Sequence, residues 1–267
     1  MYVIPSAFEK FIFSGCDRLS FIQDYLNQYG IETPVIQLED KSHIYVKFPQ
    51  KQYNPQFKIK TVIAHYDRVE GSPGANDNSA AVFCMMEWAV KLFQMKGFHN
   101  IRMIFTDGEE MGESGVESQG AFPLAELFRK LGITNDDVYV FDCMGRGEVP
   151  ILAQTVLPKG VSKQFASKFY DLESRAQKLI QTAAGGKWFT LPCNYSDNAS
   201  FIANGIPAVA ITMLPSIEVS MALRGEKPET WQLLHTDGDN FSSVSAASFE
   251  LTLKIFDALA VMKTLSV

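Results

Sequence analysis

Short, almost wholly apolar runs recur along this chain: Thr-Val-Ile-Ala at 61–64, Ile-Arg-Met-Ile-Phe-Thr at 101–106, Val-Tyr-Val-Phe at 138–141 and Ala-Val-Ala-Ile-Thr-Met at 208–213. Runs this short, with no polar alternation, read as strands covered on both faces, the environment of a parallel sheet held between helices. The stretches between them carry helical periodicity. Residues 6–29 place Phe8, Phe11, Ile12, Leu19, Ile22, Tyr25 and Leu26 at three-and-four spacing before Gly30, and 161–184 carry an apolar stripe that stops at Gly185-Gly186. Helices are also predicted over 79–95, 123–131, 196–204 and 244–265, strands over 42–48 and 58–65, and an edge strand over 151–155. Strands alternating with helices through short glycine-bearing loops predict an α/β fold, a three-layer α/β/α sandwich around a mostly parallel, mixed sheet. No repeat or linker-like segment divides it, so 1–267 is read as one domain.

Composition narrows the partners. The chain is 46% hydrophobic, enough for a full core at this length, and its formal net charge of −6 argues against a nucleic-acid groove or an anionic-membrane surface. The four cysteines are widely spaced without a C-x-x-C, which excludes a zinc ribbon and disfavours a disulfide framework. Residues 1–10 show no basic segment followed by an apolar one, and no apolar run approaches the roughly 20 residues of a membrane helix. The expectation is a cytoplasmic chain with neither nucleic-acid nor membrane partners.

Acidic and histidine residues collect at predicted strand ends, where open α/β sheets place their sites. His65 and Asp67 end one strand, Glu109 and Glu110 follow another, Asp142 ends a third, Asp77 precedes a helix, and His235 lies in a late loop. Two imidazoles and three carboxylates without thiolate suit Zn²⁺ in an open, catalytic site. A carboxylate shared between two ions would allow a two-metal cluster, and a glutamate beside it could take a proton from a bridging water. The adjacent Glu109-Glu110 pair fits that division of labour. Asp67, two residues from His65 on an extended chain, points to the same side and can accept the other ring N–H of His65. His43 and His99 lack such context and are read as surface residues. Asp237 and Asp239 are read as turn residues, and Cys143 as a small buried group facing away from Asp142.

Ala64-His65-Tyr66-Asp67, Gly74-Ala75-Asn76-Asp77-Asn78-Ser79, Phe105-Thr106-Asp107-Gly108-Glu109-Glu110, Phe141-Asp142-Cys143-Met144-Gly145, Ser196-Asp197 and His235-Thr236, in that order, resemble the motifs of the two-zinc aminopeptidases, metallopeptidase family 28. Each motif alone is weak; the ordered set is specific and spans roughly residues 59–244. The resemblance implies a zinc-exopeptidase-like fold and a peptide substrate hydrolysed from its N-terminus. It implies two zinc ions bridged by Asp77, one completed by His65 and Asp142, the other by Glu110 and His235. It gives Glu109 the role of general base toward a zinc-bridged hydroxide. It also implies a cis Asp77-Asn78 bond and a supporting place for Asp197 near the substrate. Arg146, four residues past Asp142, is a candidate for binding a substrate carboxylate or carbonyl.

One departure stands out: Leu234 occupies the position before the last histidine, where similar enzymes carry an aromatic residue. Glutaminyl cyclases, zinc acyltransferases that form pyroglutamate, share nearly the same ligand set and are the alternative, against which Leu234 counts. A metal-free binding module is the third reading, and it predicts missing ligands where none is missing.

Overall fold

The structure is a computed structural model and describes residues 2–266. Its strands are β1 (Val35–Leu38), β2 (Lys41–Val46), β3 (Lys60–His65), β4 (Ile101–Thr106), β5 (Asp137–Phe141), β6 (Val149–Ala153), β7 (Phe189–Leu191) and β8 (Ala208–Leu214). Among the described residues they form one eight-stranded sheet in the order β1-β2-β4-β3-β5-β8-β6-β7. The central strands β4, β3, β5 and β8 run parallel, β1, β2 and β6 pair antiparallel, and β7 follows β6 in parallel. Every residue of β3, β5 and β8 is buried, which is why their middle residues are apolar without alternation.

Helices cover the sheet on both sides. The long helices are α3 (Ala80–Gln94), α5 (Lys163–Ala184) and α9 (Ala246–Val261), and they pack side by side. Trp88 of α3 stacks on Phe256 of α9 with ring centroids 4.9 Å apart, and Phe256 meets Phe141 of β5 edge-on at 4.8 Å. α4 (Ala121–Lys130) and α6 (Asn198–Ala203) form the other layer, joined by Phe128 against Phe201. Buried Lys60, at the start of β3, donates to the carbonyl of Leu259 at 2.7 Å and so meets the last turn of α9; burial lowers its pKa to about 7. No helix among the described residues is long and apolar enough to cross a membrane.

Several sequence expectations change here. The helix expected over 6–29 is two, α1 (Ser6–Ile12) and α2 (Arg18–Asn27). Asp17 caps α2 by accepting from the Ser20 N–H at 3.1 Å, and the break turns Arg18 inward. The strand expected at an edge over 151–155 is β6, and it lies inside the sheet between β8 and the three-residue β7. Two further short helices, α7 (Ser216–Leu223) and α8 (Glu229–Leu233), precede His235.

His43 and His99 are not on the surface: they are 0% and 1% exposed. His99 Nδ1 accepts from the Ile101 N–H at 2.9 Å, so its proton sits on Nε2, which meets Gln52 Oε1 at 3.2 Å. Its ring packs edge-on against Phe48. The periodicity around an isolated histidine says nothing about the long-range partners that make its burial tolerable.

Candidate metal centre

The ends of the parallel strands deliver the polar residues. His65 is the last residue of β3, Asp142 follows β5, and Glu109 and Glu110 lie just past β4, where a 3-10 turn (Glu110–Ser114) begins. Asp77 sits in a turn (Ala75–Ser79) that enters α3, with a cis Asp77-Asn78 peptide. Gly74 opens that turn at φ 60°, and a Cβ there would lie 2.5 Å from the Asp77 carbonyl, so only glycine fits.

The turn is tied to its surroundings on two sides. Asn78 donates to the Phe141 carbonyl at 2.8 Å and accepts from the Cys143 N–H, while Asn76 Oδ1 accepts from the Gly145 N–H at 2.8 Å. On the other side the buried carboxylate of Asp239 accepts the N–H groups of Asn76 and Asp77 at 2.7 and 2.9 Å. Arg18 reaches beneath the same region. Its guanidinium donates to the Tyr66 carbonyl at 2.8 Å, the Pro73 carbonyl at 2.9 Å and Ser79 Oγ at 2.7 Å, and burial lowers its pKa to about 10.

Five side chains converge in two overlapping groups, His65 with Asp77 and Asp142, and Asp77 with Glu110 and His235. His65 Nε2 lies 3.2 Å from Asp77 Oδ1 and 3.5 Å from Asp142 Oδ1. His235 Nε2 lies 3.4 Å from Asp77 Oδ2 and 3.0 Å from Glu110 Oε2. Asp77 thus turns one oxygen to each group. A tetrahedral zinc with bonds of about 2.0–2.1 Å sets neighbouring ligand atoms about 3.3 Å apart, and these donors stand at that spacing. His65 Nε2 and Asp142 Oδ1 are buried without hydrogen-bond partners, a costly arrangement that a cation would relieve. The donor set, its spacing and its unpaired atoms fit zinc.

The local electrostatics is that of crowded carboxylates around two imidazoles. Burial alone would lower the pKa of His65, but Asp142, Asp67 and Asp77 outweigh it and hold the ring well above its usual range. His235 is pushed up to about 11 by its bonds to Asp77 and Glu110. Burial would raise Asp77, yet the two histidines hold it low. Burial raises Glu109 and Glu110, with neighbouring carboxylates adding to it.

The remaining predicted residues take varied places. Asp67 Oδ1 is 3.4 Å from His65 Nδ1, as the two-residue spacing implied, but its closer bonds are to the N–H groups of Glu109 and Glu110, both at 3.1 Å. It therefore joins the end of β3 to the turn after β4. Asp197 is fully buried, accepts from Thr106 Oγ1 at 2.5 Å and is raised to about 7 by burial, so it lies behind the site and does not face substrate space. Arg146 is not brought to the site. It pairs with Glu218 at 3.1 Å and Glu229 at 3.2 Å and donates to Thr230, tying α7 and α8 to the loop after β5. Cys143 does not face away from Asp142: it lies past the end of β5 in a left-handed conformation (φ 54°) and borders the same cavity.

That cavity, about 420 Å³, is lined by the carboxyl-bearing residues Asp77, Glu109, Glu110 and Asp142 and by apolar groups such as Ile211 and Trp231. Leu234 also borders it. Sequence reading missed Asp239, dismissed as a turn residue, and Arg18. It also missed Gln119, which is buried and donates to Glu109 Oε1 at 2.9 Å. Asp239 follows His235 by only four residues, and that proximity was the one signal for it.

Aminopeptidase YwaD of Bacillus subtilis (strain 168) is 40% identical over 70 residues, 26% of this chain and 15% of that protein, so the matched segment is a small part of the relative's length. Among solved structures, the Legionella pneumophila LapA aminopeptidase superposes with a TM-score of 0.69 at 17% identity, over 96% of this chain and 68% of that one. A Porphyromonas gingivalis glutaminyl cyclase superposes with a TM-score of 0.67 at 19% identity, over 97% and 98%. A Zn-dependent exopeptidase from Parabacteroides distasonis gives 0.67 at 14% identity, over 96% and 97%. These likenesses are of fold. The model of peptidase family M28 matches residues 43–260, and the chain belongs to that family.

Proposed function

We propose that this protein is a zinc-dependent aminopeptidase, one catalytic unit over 1–267, that removes N-terminal residues from peptides. The observation that carries the reading is Asp77, whose two carboxylate oxygens lie 3.2 and 3.4 Å from histidines of separate donor groups. His65, Asp77 and Asp142 would hold one ion, and Asp77, Glu110 and His235 a second. When bound, the ions supply Lewis-acid polarisation of a water and of the scissile carbonyl.

The chain's own residues do the rest. Asp67 holds the Glu109 and Glu110 backbone in register with His65. Glu109, with one oxygen 4.0 Å from His65 Nε2, accepts the proton of the attacking water and returns it to the leaving amine. Apolar groups that line the cavity, such as Ile211 and Trp231, receive the side chain of the N-terminal residue.

Purified, zinc-loaded protein tests this directly, assayed for metal content, for release of residues from free and N-acetylated peptides, and for cyclisation of Gln-peptides. Two zinc per chain with cleavage of free N-termini only is expected. Cyclisation with one zinc would establish the glutaminyl cyclase alternative. Glu109→Gln should retain zinc and lose about 10²–10⁴ in kcat; near-normal turnover would remove Glu109 from its role.

A further inference from the structure

We propose that Gln119 is the positioning residue of Glu109, holding its carboxylate so that one chosen oxygen carries the travelling proton. The inference rests on the reading of Glu109 as general base. Gln119 is 1% exposed, and its Nε2 donates to Glu109 Oε1 at 2.9 Å. The other carboxylate oxygen, Oε2, is the one that faces His65 Nε2. A carboxylate at the end of a long side chain otherwise turns freely about its last bond. With Oε1 engaged by an amide donor, the lone pair open to the reacting atoms is on Oε2. The proton taken from water sits there and is on hand for the leaving nitrogen.

The amide is itself oriented. Ser200 Oγ on α6 donates to Gln119 Oε1 at 2.7 Å, which leaves Nε2 for the glutamate. The backbone makes room for this arrangement at Gly112, where a Cβ would stand 2.8 Å from Gln119 Cγ and 3.0 Å from its Nε2. Tyr195 fixes that glycine by donating from its hydroxyl to the Gly112 carbonyl at 2.7 Å. The chemistry of an amide suits this role, because it is neutral, takes no proton itself, and adds no charge to a site already crowded with carboxylates.

The experiment compares zinc-loaded wild type with Gln119→Ala, Gln119→Met, Glu109→Gln and the Glu109→Gln/Gln119→Ala double variant. It reads kcat and KM on aminoacyl p-nitroanilides, bound zinc and melting temperature. Methionine keeps the length and volume of glutamine without its N–H, so it separates hydrogen bonding from packing. Both Gln119 variants should lose about 10–100-fold in kcat. KM should stay within about twofold, the pattern of an interaction used only in the transition state. Zinc content should match wild type. In the Glu109→Gln background, Gln119→Ala should cause no further loss, because the group it positions is already disabled.

Full activity in Gln119→Met would overturn the proposal, as would a further drop of the same size in the double variant or a loss traced to missing zinc. Wild-type turnover by Glu109→Gln would instead refute the general base, and the positioning role would fall with it.

Discussion

Replacing Asp239 tests how the Asp77 turn is held. Its carboxylate accepts the N–H groups of Asn76 and Asp77 at 2.7 and 2.9 Å and is itself fastened by Ser243 Oγ at 3.1 Å. Asp239→Ala leaves two buried donors without an acceptor. A hydrogen bond to a charged group contributes about 1.5–3 kcal/mol, so the pair contributes about 3–6 kcal/mol. In zinc-free protein the like charge of Asp77 opposes Asp239, and the loss belongs at the low end, about 3 kcal/mol. With zinc bound that repulsion is relieved and the loss moves toward the upper figure. At roughly 2 °C per kcal/mol for a chain of this length, the melting temperature should fall about 6 °C without metal and more with it. Zinc affinity should weaken about 10–100-fold, because a displaced Asp77 no longer offers both oxygens at the right spacing. Calorimetry of metal-free and zinc-loaded protein, with zinc titration, reads all three quantities. A variant that melts within a degree of wild type and binds zinc equally well would refute the claim that this carboxylate holds the turn.

Removing metal with a chelator should lower the melting temperature and adding zinc back should restore it, since the donor groups exist only in the folded chain; unchanged melting with the metal demonstrably gone would contradict the assignment. Burial lowers the pKa of His99 to about 4, below its unfolded value near 6.5, so the unfolded state binds the extra proton and stability falls as pH drops from about 6.5 to 4. The effect approaches about 3 kcal/mol, and urea midpoints of wild type and His99→Gln should diverge across that window; parallel curves would show that the ring does not stay neutral. Trp88→Ala, which empties a fully buried site stacked on Phe256, should cost about 3–5 kcal/mol by denaturant unfolding, and a loss under about 1 kcal/mol would mean that the α3–α9 contact is not a packed core.

The strands that build the centre of the sheet were readable because burial on both faces writes itself as runs of apolar residues without alternation, as at 103–105 and 138–141. The five residues that converge were readable from their order, and His65, Glu110 and Asp142 also from their places at strand ends. What escaped depends on distant partners. Arg146 looks available to substrate until Glu218 and Glu229 are brought beside it by α7 and α8. Asp239 resembles any turn aspartate until the Asn76 and Asp77 N–H groups arrive from across the chain. The α1–α2 break was hidden because the apolar spacing continues through it, although Gly15 and the capping Asp17 marked the place. β7, at three residues, is too short to show any period.

Asp77 is reached by donors from both ends of the chain, and that order has a bearing on biosynthesis. His65, Asp77 and Asp142 have all left the ribosome long before His235 is made. Under the proposed ligation, neither cation site is complete before the C-terminal third is made, because His235 belongs to one and Asp239 holds the turn that carries Asp77 to both. An ion held by Asp77, Glu110 and His235 would act as a clasp, closing a long loop between Asp77 and His235.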